Sequence, residues 1–225
     1  MIKNISNLGD AALYCDFGGE VNKTINLEVI KYFNAIKEKD IEGIYNLTPS
    51  YNKLIISYDL TITNFETVKN KIEKLNFNQT QKTNSKRIEI PVCCDSSLSL
   101  DILRLEKKLN LSKEKIYDNF FNKEFYCYMT GFIAGMPFLG DLDENMRAER
   151  LETPRVKVPK GSVGITEQFA NIYTSESPGG WNIIGNTPLE VFDGSKEDKP
   201  NLINHGDLVI FKQISLDQYK SYDEQ

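Results

Sequence analysis

The chain has 225 residues, 40% hydrophobic and 26% charged, which supplies a buried core and argues against global disorder. A formal net charge of −5 offers no footprint for nucleic acid or an anionic membrane surface, and no apolar run approaches the ~20 residues that span a bilayer. The first residues lack the apolar core of a signal peptide and carry Asp10 and Asp16 early, so a cytoplasmic protein is expected.

Residues 1 to about 75 alternate strand and helix signals. Ala11–Phe17 reads as a short strand ended by Gly18-Gly19. Asn26 is the expected cap of a helix with Leu27, Ile30, Phe33 and Ile36 on its apolar side. Ile44–Leu47 and Leu54–Tyr58 read as two strands joined by a Thr48-Pro49-Ser50-Tyr51 turn. Thr63 or Asn64 opens a second helix, with Phe65, Val68, Ile72 and Leu75 along one stripe. The order βαββα predicts a small α+β sandwich over residues 1–80.

Residues 76–86, NFNQTQKTNSK, hold almost no core formers and are read as a linker to a second domain, 87–225. Charge divides along with it. Residues 1–88 carry 12 basic and 10 acidic side chains, and residues 89–225 carry 15 and 22, so the acidic balance belongs to the second part.

That part opens with a strand at 88–94, in which neighbouring Cys93 and Cys94 are expected to point to opposite faces. Leu98–Leu109 forms an amphipathic helix; Ser112 caps the next, with Ile116 and Phe120 on its apolar side. From Phe125 the pattern changes to short strands broken by Gly and Pro: Phe125–Thr130, Val163–Thr166, Asn171–Tyr173, Trp181–Ile184 and Leu208–Gln213. Many short strands of this kind indicate a barrel or sandwich.

The chemistry-bearing residue types are sparse. Cys15, Cys93, Cys94 and Cys127 form no C-x-x-C pair, and His205 is the one histidine, so no zinc site is expected and the thiols read as buried and free. His205 stands in a turn before a strand, a place where histidines are commonly solvated. Asp141-x-Asp143-x-Asn145 with Glu152 has calcium-loop spacing, but Met146 occupies the position that needs glycine and Arg147 and Arg150 intrude, so no calcium site is expected. No Gly-x-x-x-x-Gly-Lys-Ser/Thr loop is present, so any nucleotide is held in another way or by a partner.

The distinctive punctuation lies in residues 131–188. It comprises Gly131-Phe-x-x-Gly135-x-Pro137-x-Leu139-Gly140, Pro154-Arg155, Val158-Pro-x-Gly161-Ser-Val163, Gln168 with Ile172-Tyr173, and Ser177-Pro-Gly-Gly-Trp181-x-x-Ile184-Gly185-x-Thr187-Pro188. With Gly9-Asp10-Ala11-Ala12-Leu13, Pro49-Ser50-Tyr51 and Tyr58-Asp59, these segments resemble the KipI/PxpB family, also labelled allophanate hydrolase subunit 1 or carboxyltransferase subdomains C and D. The resemblance covers nearly the whole chain. Departures from the family pattern fall at or near Phe120, at Ala134 and Met136, and across Glu167–Tyr173, Phe169 included, and are expected to lie around the pocket.

The resemblance implies a small α+β N-terminal domain followed by a cyclophilin-like β-barrel. It further implies one subunit of an ATP-dependent 5-oxoprolinase, acting with a KipA-like subunit, PxpC, and a LamB/YcsF-like subunit, PxpA. The alternative it allows is a KipI-like inhibitor of a sensor histidine kinase. A third label, urea or allophanate metabolism, rests on related domains, and the chain has no Met-Lys-Met for biotin. Each candidate residue has two readings. Arg155 offers a bidentate fork for an anion, or equally a structural ion pair. Gln168 is a ligand for an amide or hydroxyl, or a polar strand end. Tyr173 and Trp181 are pocket walls or core aromatics. Ser177, Gly179 and Gly180 offer a hydroxyl and backbone donors, or a plain turn. Arg155 and Gln168 are the expected catalytic pair, and the other five are expected to bind substrate.

Overall fold

Residues 1–75 and 85–222 of the computed structural model are described, in two units, Met1–Asn84 and Ser85–Gln225. Most of the expected linker, residues 76–84, lies outside the described residues. Its last two positions are tied into the second unit: the Ser85 hydroxyl donates to the Gly206 carbonyl and the Lys86 N–H to Asp207 Oδ1.

The first unit runs β1 (Asn4–Asn7), β2 (Ala12–Asp16), α1 (Lys23–Lys39), β3 (Ile44–Pro49), β4 (Lys53–Tyr58) and α2 (Phe65–Glu73). Its strands form one antiparallel sheet ordered β1-β2-β4-β3. Period-two burial on β2 and β4 turns Leu13, Cys15, Leu54, Ile56 and Tyr58 to one face, where they share a core with Val29, Tyr32 and Ile36 of α1 and Val68 and Ile72 of α2. Strand β1 was not expected, because Asn-Ile-Ser-Asn holds one apolar residue; backbone pairing to β2 makes it a strand. The α1 cap also differs. Asn22, not Asn26, accepts the Ile25 N–H at 2.9 Å. Asn26 lies inside the helix, fully buried, and donates to the carbonyls of Ser50 and Tyr51 at 3.0 and 2.8 Å. Its carboxamide satisfies the β3–β4 turn, a partner that local sequence does not reveal.

The second unit contains β5 (Arg87–Cys93), α3 (Ile102–Leu109), α4 (Lys113–Phe121), β6 (Glu124–Thr130), β7 (Pro137–Gly140), β8 (Arg155–Val158), β9 (Ser162–Thr166), β10 (Phe169–Ile172), β11 (Ser177–Gly179), β12 (Asn182–Asn186), β13 (Leu208–Ile214) and α5 (Leu216–Ser221). Seven strands close into a barrel in the order β10-β7-β6-β13-β5-β12-β9, and β8 with β11 forms a separate two-stranded ribbon. The β13–β5 pair is parallel, and the other barrel pairs are antiparallel. The barrel core of Ile90, Val92, Phe125, Leu139, Ile165, Ile172, Val209 and Phe211 also takes in Ile102, Leu105, Ile116 and Phe120, so helices and barrel share one hydrophobic interior. The α+β class and the barrel are as the sequence predicts. No helix among the described residues is long and apolar enough to cross a membrane.

Two local expectations are corrected. Helix α3 begins at Ile102 rather than Leu98, because Asp95 accepts the Ser97 N–H and hydroxyl while its carbonyl takes the N–H groups of Leu98 and Ser99. That local turn competes with the helix. Cys93 and Cys94 do point to opposite faces, Cys94 joining the barrel core with Ile90 and Val92 while Cys93 does not, and both are buried. Ser177-Pro178-Gly179 is a short strand paired with β8, not a turn alone.

Candidate functional site

The site is built on the outside of the barrel. Register places Phe138 of β7, Asn171 of β10, Gly164 of β9 and Ile183 of β12 in one row across neighbouring strands. Their sequence neighbours Leu139, Ala170, Ile165 and Ile184 point the other way, into the barrel core. Over the row pack Met136, Val158, Tyr173, Ile133 and Trp181, a small second core beneath the β8–β11 ribbon. Trp181 meets Phe138 edge to face, with ring centroids 5.6 Å apart.

Arg155 begins β8 opposite Gly179 of β11. Its Nη2 donates to Asp101 Oδ1 at 2.6 Å, and Asp101 Oδ2 accepts the Ile183 N–H at 2.7 Å. Asp101 is 5% exposed and stands at the N-cap of α3, yet its side chain caps nothing there. It is committed instead to β12 and to Arg155. The structural pairing foreseen for Arg155 therefore exists, but it uses one side of the guanidinium. Nη1 is buried and has no hydrogen-bond partner. The same holds for Ser177 Oγ and Asn171 Oδ1. Three buried polar atoms without partners at one place are unusual for a folded interior and mark a place where a ligand would find donors and an acceptor.

Tyr173 is 1% exposed. Burial raises its pKa; the Asn171 side chain, the Trp181 backbone N–H and the nearby charges of Arg155 and Arg150 each pull the other way. A methyl group added at Gly179 would overlap the Tyr173 hydroxyl and lie 2.7 Å from its Cζ. Glycine is thus required at 179 by the packing of Tyr173. Arg150 occupies the other side of the turn: Cβ at Gly180 would sit 3.3 Å from Arg150 Nε and Nη2. The backbone there is fixed by the Leu151 N–H, which donates to the Gly180 carbonyl at 2.6 Å.

Six of the seven sequence candidates, Arg155, Tyr173, Ser177, Gly179, Gly180 and Trp181, thus come together around the ribbon. Gln168 does not. It sits in the β9–β10 hairpin, where its Nε2 donates to Asp141 Oδ1 at 3.3 Å, beside the Tyr128 hydroxyl that donates to Asp141 Oδ2 at 2.9 Å. Tyr173 follows the opposite end of β10, about 16 Å away at ~3.3 Å per residue. Among the departures from the family pattern, Met136 lies in the site core and the Ala134 carbonyl accepts the Thr174 hydroxyl at 2.7 Å beside it. Phe169 packs edge-on against Tyr128, on the Gln168 side. Phe120 lies elsewhere, stacked on Phe211 at 4.8 Å in the barrel interior, so the expectation that it borders the pocket is corrected.

Sequence reasoning missed Asp101, Asn171 and Arg150 as members of the site. Asp101 reads as a helix residue, Asn171 as part of a strand and Arg150 as an intruder in a calcium-like loop; each joins the site through a contact distant in sequence. His205 remains on the turn before β13. All four thiols are buried. Burial pushes Cys15 and Cys94 up to about 12 and Cys127 higher still, so none of these three is a poised nucleophile. Two large apolar side chains flank the site in the open, Phe132 at 77% and Val156 at 80% exposure. Phe132 is on the loop that Thr174 ties down and Val156 follows Arg155, so the rim is suited to contact with another polypeptide.

Gly179→Ala is expected to destabilise the second unit by about 2 kcal/mol through overpacking against Tyr173. In a double-mutant cycle with Tyr173→Val, the two losses should sum to less than additive by about 1 kcal/mol. Additive losses in urea denaturation would show that the two residues do not meet.

The family described as carboxyltransferase domain, subdomain C and D, matches residues 3–203. A 5-oxoprolinase subunit of Bacillus subtilis (strain 168) is 34% identical over 233 residues, 98% of this chain and 97% of that protein. The crystal structure of TTHA0988 superposes with a TM-score of 0.81 at 27% identity, over 90% of this chain and 40% of that one, so the chain spans about two fifths of that protein. The urea amidolyase of K. lactis, 18% identical, shares the fold with a TM-score of 0.80 over 98% of this chain and 15% of its own length.

Proposed function

This chain belongs to the carboxyltransferase-domain family of subdomains C and D, and on that premise we propose that it is a non-autonomous subunit of a 5-oxoprolinase. The reaction opens the lactam of 5-oxoproline to glutamate with hydrolysis of ATP. Amide resonance protects the lactam carbonyl from water; ATP, as co-substrate, supplies the phosphoryl group that would activate its oxygen. The part of this chain is to bind and orient. Arg155 presents a cationic N–H to an anionic oxygen, where fixed donors are most effective because they need no reorganisation. Trp181, Phe138 and Met136 would wall off water on the apolar side.

The observation that carries this reading is the ribbon site itself, with an arginine N–H buried and unpartnered beside aromatic walls. No thiol, histidine or phosphate loop accompanies it among the described residues, which supports a site shared with a KipA-like and a LamB/YcsF-like subunit. The exposed Phe132 and Val156 are the natural contact for the former. The curated relatives named as 5-oxoprolinase subunits favour this reading over a kinase inhibitor.

The purified chain is expected to hydrolyse no ATP in response to 5-oxoproline, and addition of both partner subunits is expected to restore that hydrolysis. Full activity from the chain alone would refute the shared site, and inactivity with both partners would refute the assignment.

A further inference from the structure

We propose that Arg150 and Arg155 form a two-armed cradle for an oxyanion, a carboxylate or a phosphate group, with Ser177 supplying its hydroxyl and Asp101 acting as the positioning residue for Arg155. Arg150 is exposed over Gly180 and joins no ion pair among the described residues. Arg155 is held from below by Asp101, which fixes the plane of the guanidinium and leaves Nη1 without a partner. Arg155 pairs across the ribbon with Gly179 and Arg150 lies against Gly180, so the two arginines meet neighbouring residues of one turn.

Across a register shift in the ribbon, Ser177 pairs with Val158, which shares the small core with Tyr173, so its side chain is on the Tyr173 side. Its Oγ, also buried and unpartnered, can donate to the same oxyanion. Asp101 neutralises one of the two arginines, which leaves one positive charge on the pair, and Lys157 of β8 is matched by Glu176 at 2.8 Å. That charge stands in a half of the chain where 22 acidic residues outnumber 15 basic ones, residues 89–225.

This deepens the 5-oxoprolinase reading and rests on it only for the ligand's identity. 5-Oxoproline would bring a carboxylate, ATP a phosphate; the oxyanion chemistry is common to both.

Trp181 is the only tryptophan in the chain and adjoins Gly180, so its emission reports on the cradle directly. The 225-residue chain is titrated with 5-oxoproline, ATP and inorganic phosphate at constant ionic strength. A saturable change is expected with at least one of them, and Arg150→Gln or Arg155→Lys should weaken it about tenfold or more. Arg150 is a surface residue, and lysine at 155 preserves the ion pair with Asp101, so both variants keep the fold. Response to 5-oxoproline alone assigns the cradle to the carboxylate; response to ATP and phosphate assigns it to the phosphoryl group. No saturable change with any of the three, or unchanged affinity in Arg150→Gln, overturns the cradle. Should the assembled complex nevertheless turn over, the function stands without it; binding by the chain with an inactive complex would sink the function and keep the cradle.

Discussion

Arg155→Ala in the reconstituted three-subunit enzyme is expected to lower turnover about 100-fold, the loss that follows removal of one preorganised donor from a developing negative charge. The alanine variant also leaves the Asp101 carboxylate buried at 5% exposure without its cation, so part of any loss could arise from unfolding. Arg155→Lys separates the two. An ammonium at this place still pairs with Asp101 but cannot hold Asp101 and an anion with two coplanar N–H groups. The lysine variant is therefore expected to unfold at nearly the wild-type urea concentration and still to lose most of its turnover. Wild-type turnover in both variants would remove Arg155 from the site and leave it a structural ion pair.

Asp101→Ala is expected to cost the second unit about 3 kcal/mol. Its carboxylate joins two elements, accepting the Ile183 N–H of β12 at 2.7 Å and Arg155 Nη2 at 2.6 Å. Removing it leaves a buried backbone N–H and a partly buried guanidinium unsatisfied together. The first costs ~1–3 kcal/mol, and the second is reduced because the Arg155 side chain is 27% exposed and partly screened. Asp101→Asn keeps an acceptor for one of the two donors and is expected to cost about half as much. Urea midpoints measured on the two variants check the order. Equal, small losses would mean that Asp101 is solvated rather than bound between β12 and β8.

The elements with strong periodicity were legible in the sequence. Leu54, Ile56 and Tyr58 alternate on β4, Ser112 caps α4 by accepting the Lys115 N–H, and Asn64 caps α2. These features depend on residues within a few positions of one another, which is the range over which periodicity and capping act. The three-residue β11 and the four-residue β7 and β8 were not legible, because Gly and Pro at their ends read as turns and only pairing partners distant in the chain make them strands.

The site divides in the same way. From its order of residues alone the chain carried the membership of a family, the barrel, and the cluster of Arg155, Tyr173, Ser177, Gly179, Gly180 and Trp181, since these six lie within a span of 27 positions whose prolines stiffen the backbone and whose glycines allow it to turn tightly. Only the tertiary structure could decide that Asp101 aligns Arg155, that Arg150 stands over Gly180, that Asn171 lies under the ribbon and that Gln168 belongs to another end of β10. A hydrogen bond acts over about 3 Å whatever the separation in sequence, so the partners of a buried charge are set by where the strands cross, and that is known only once the barrel has closed.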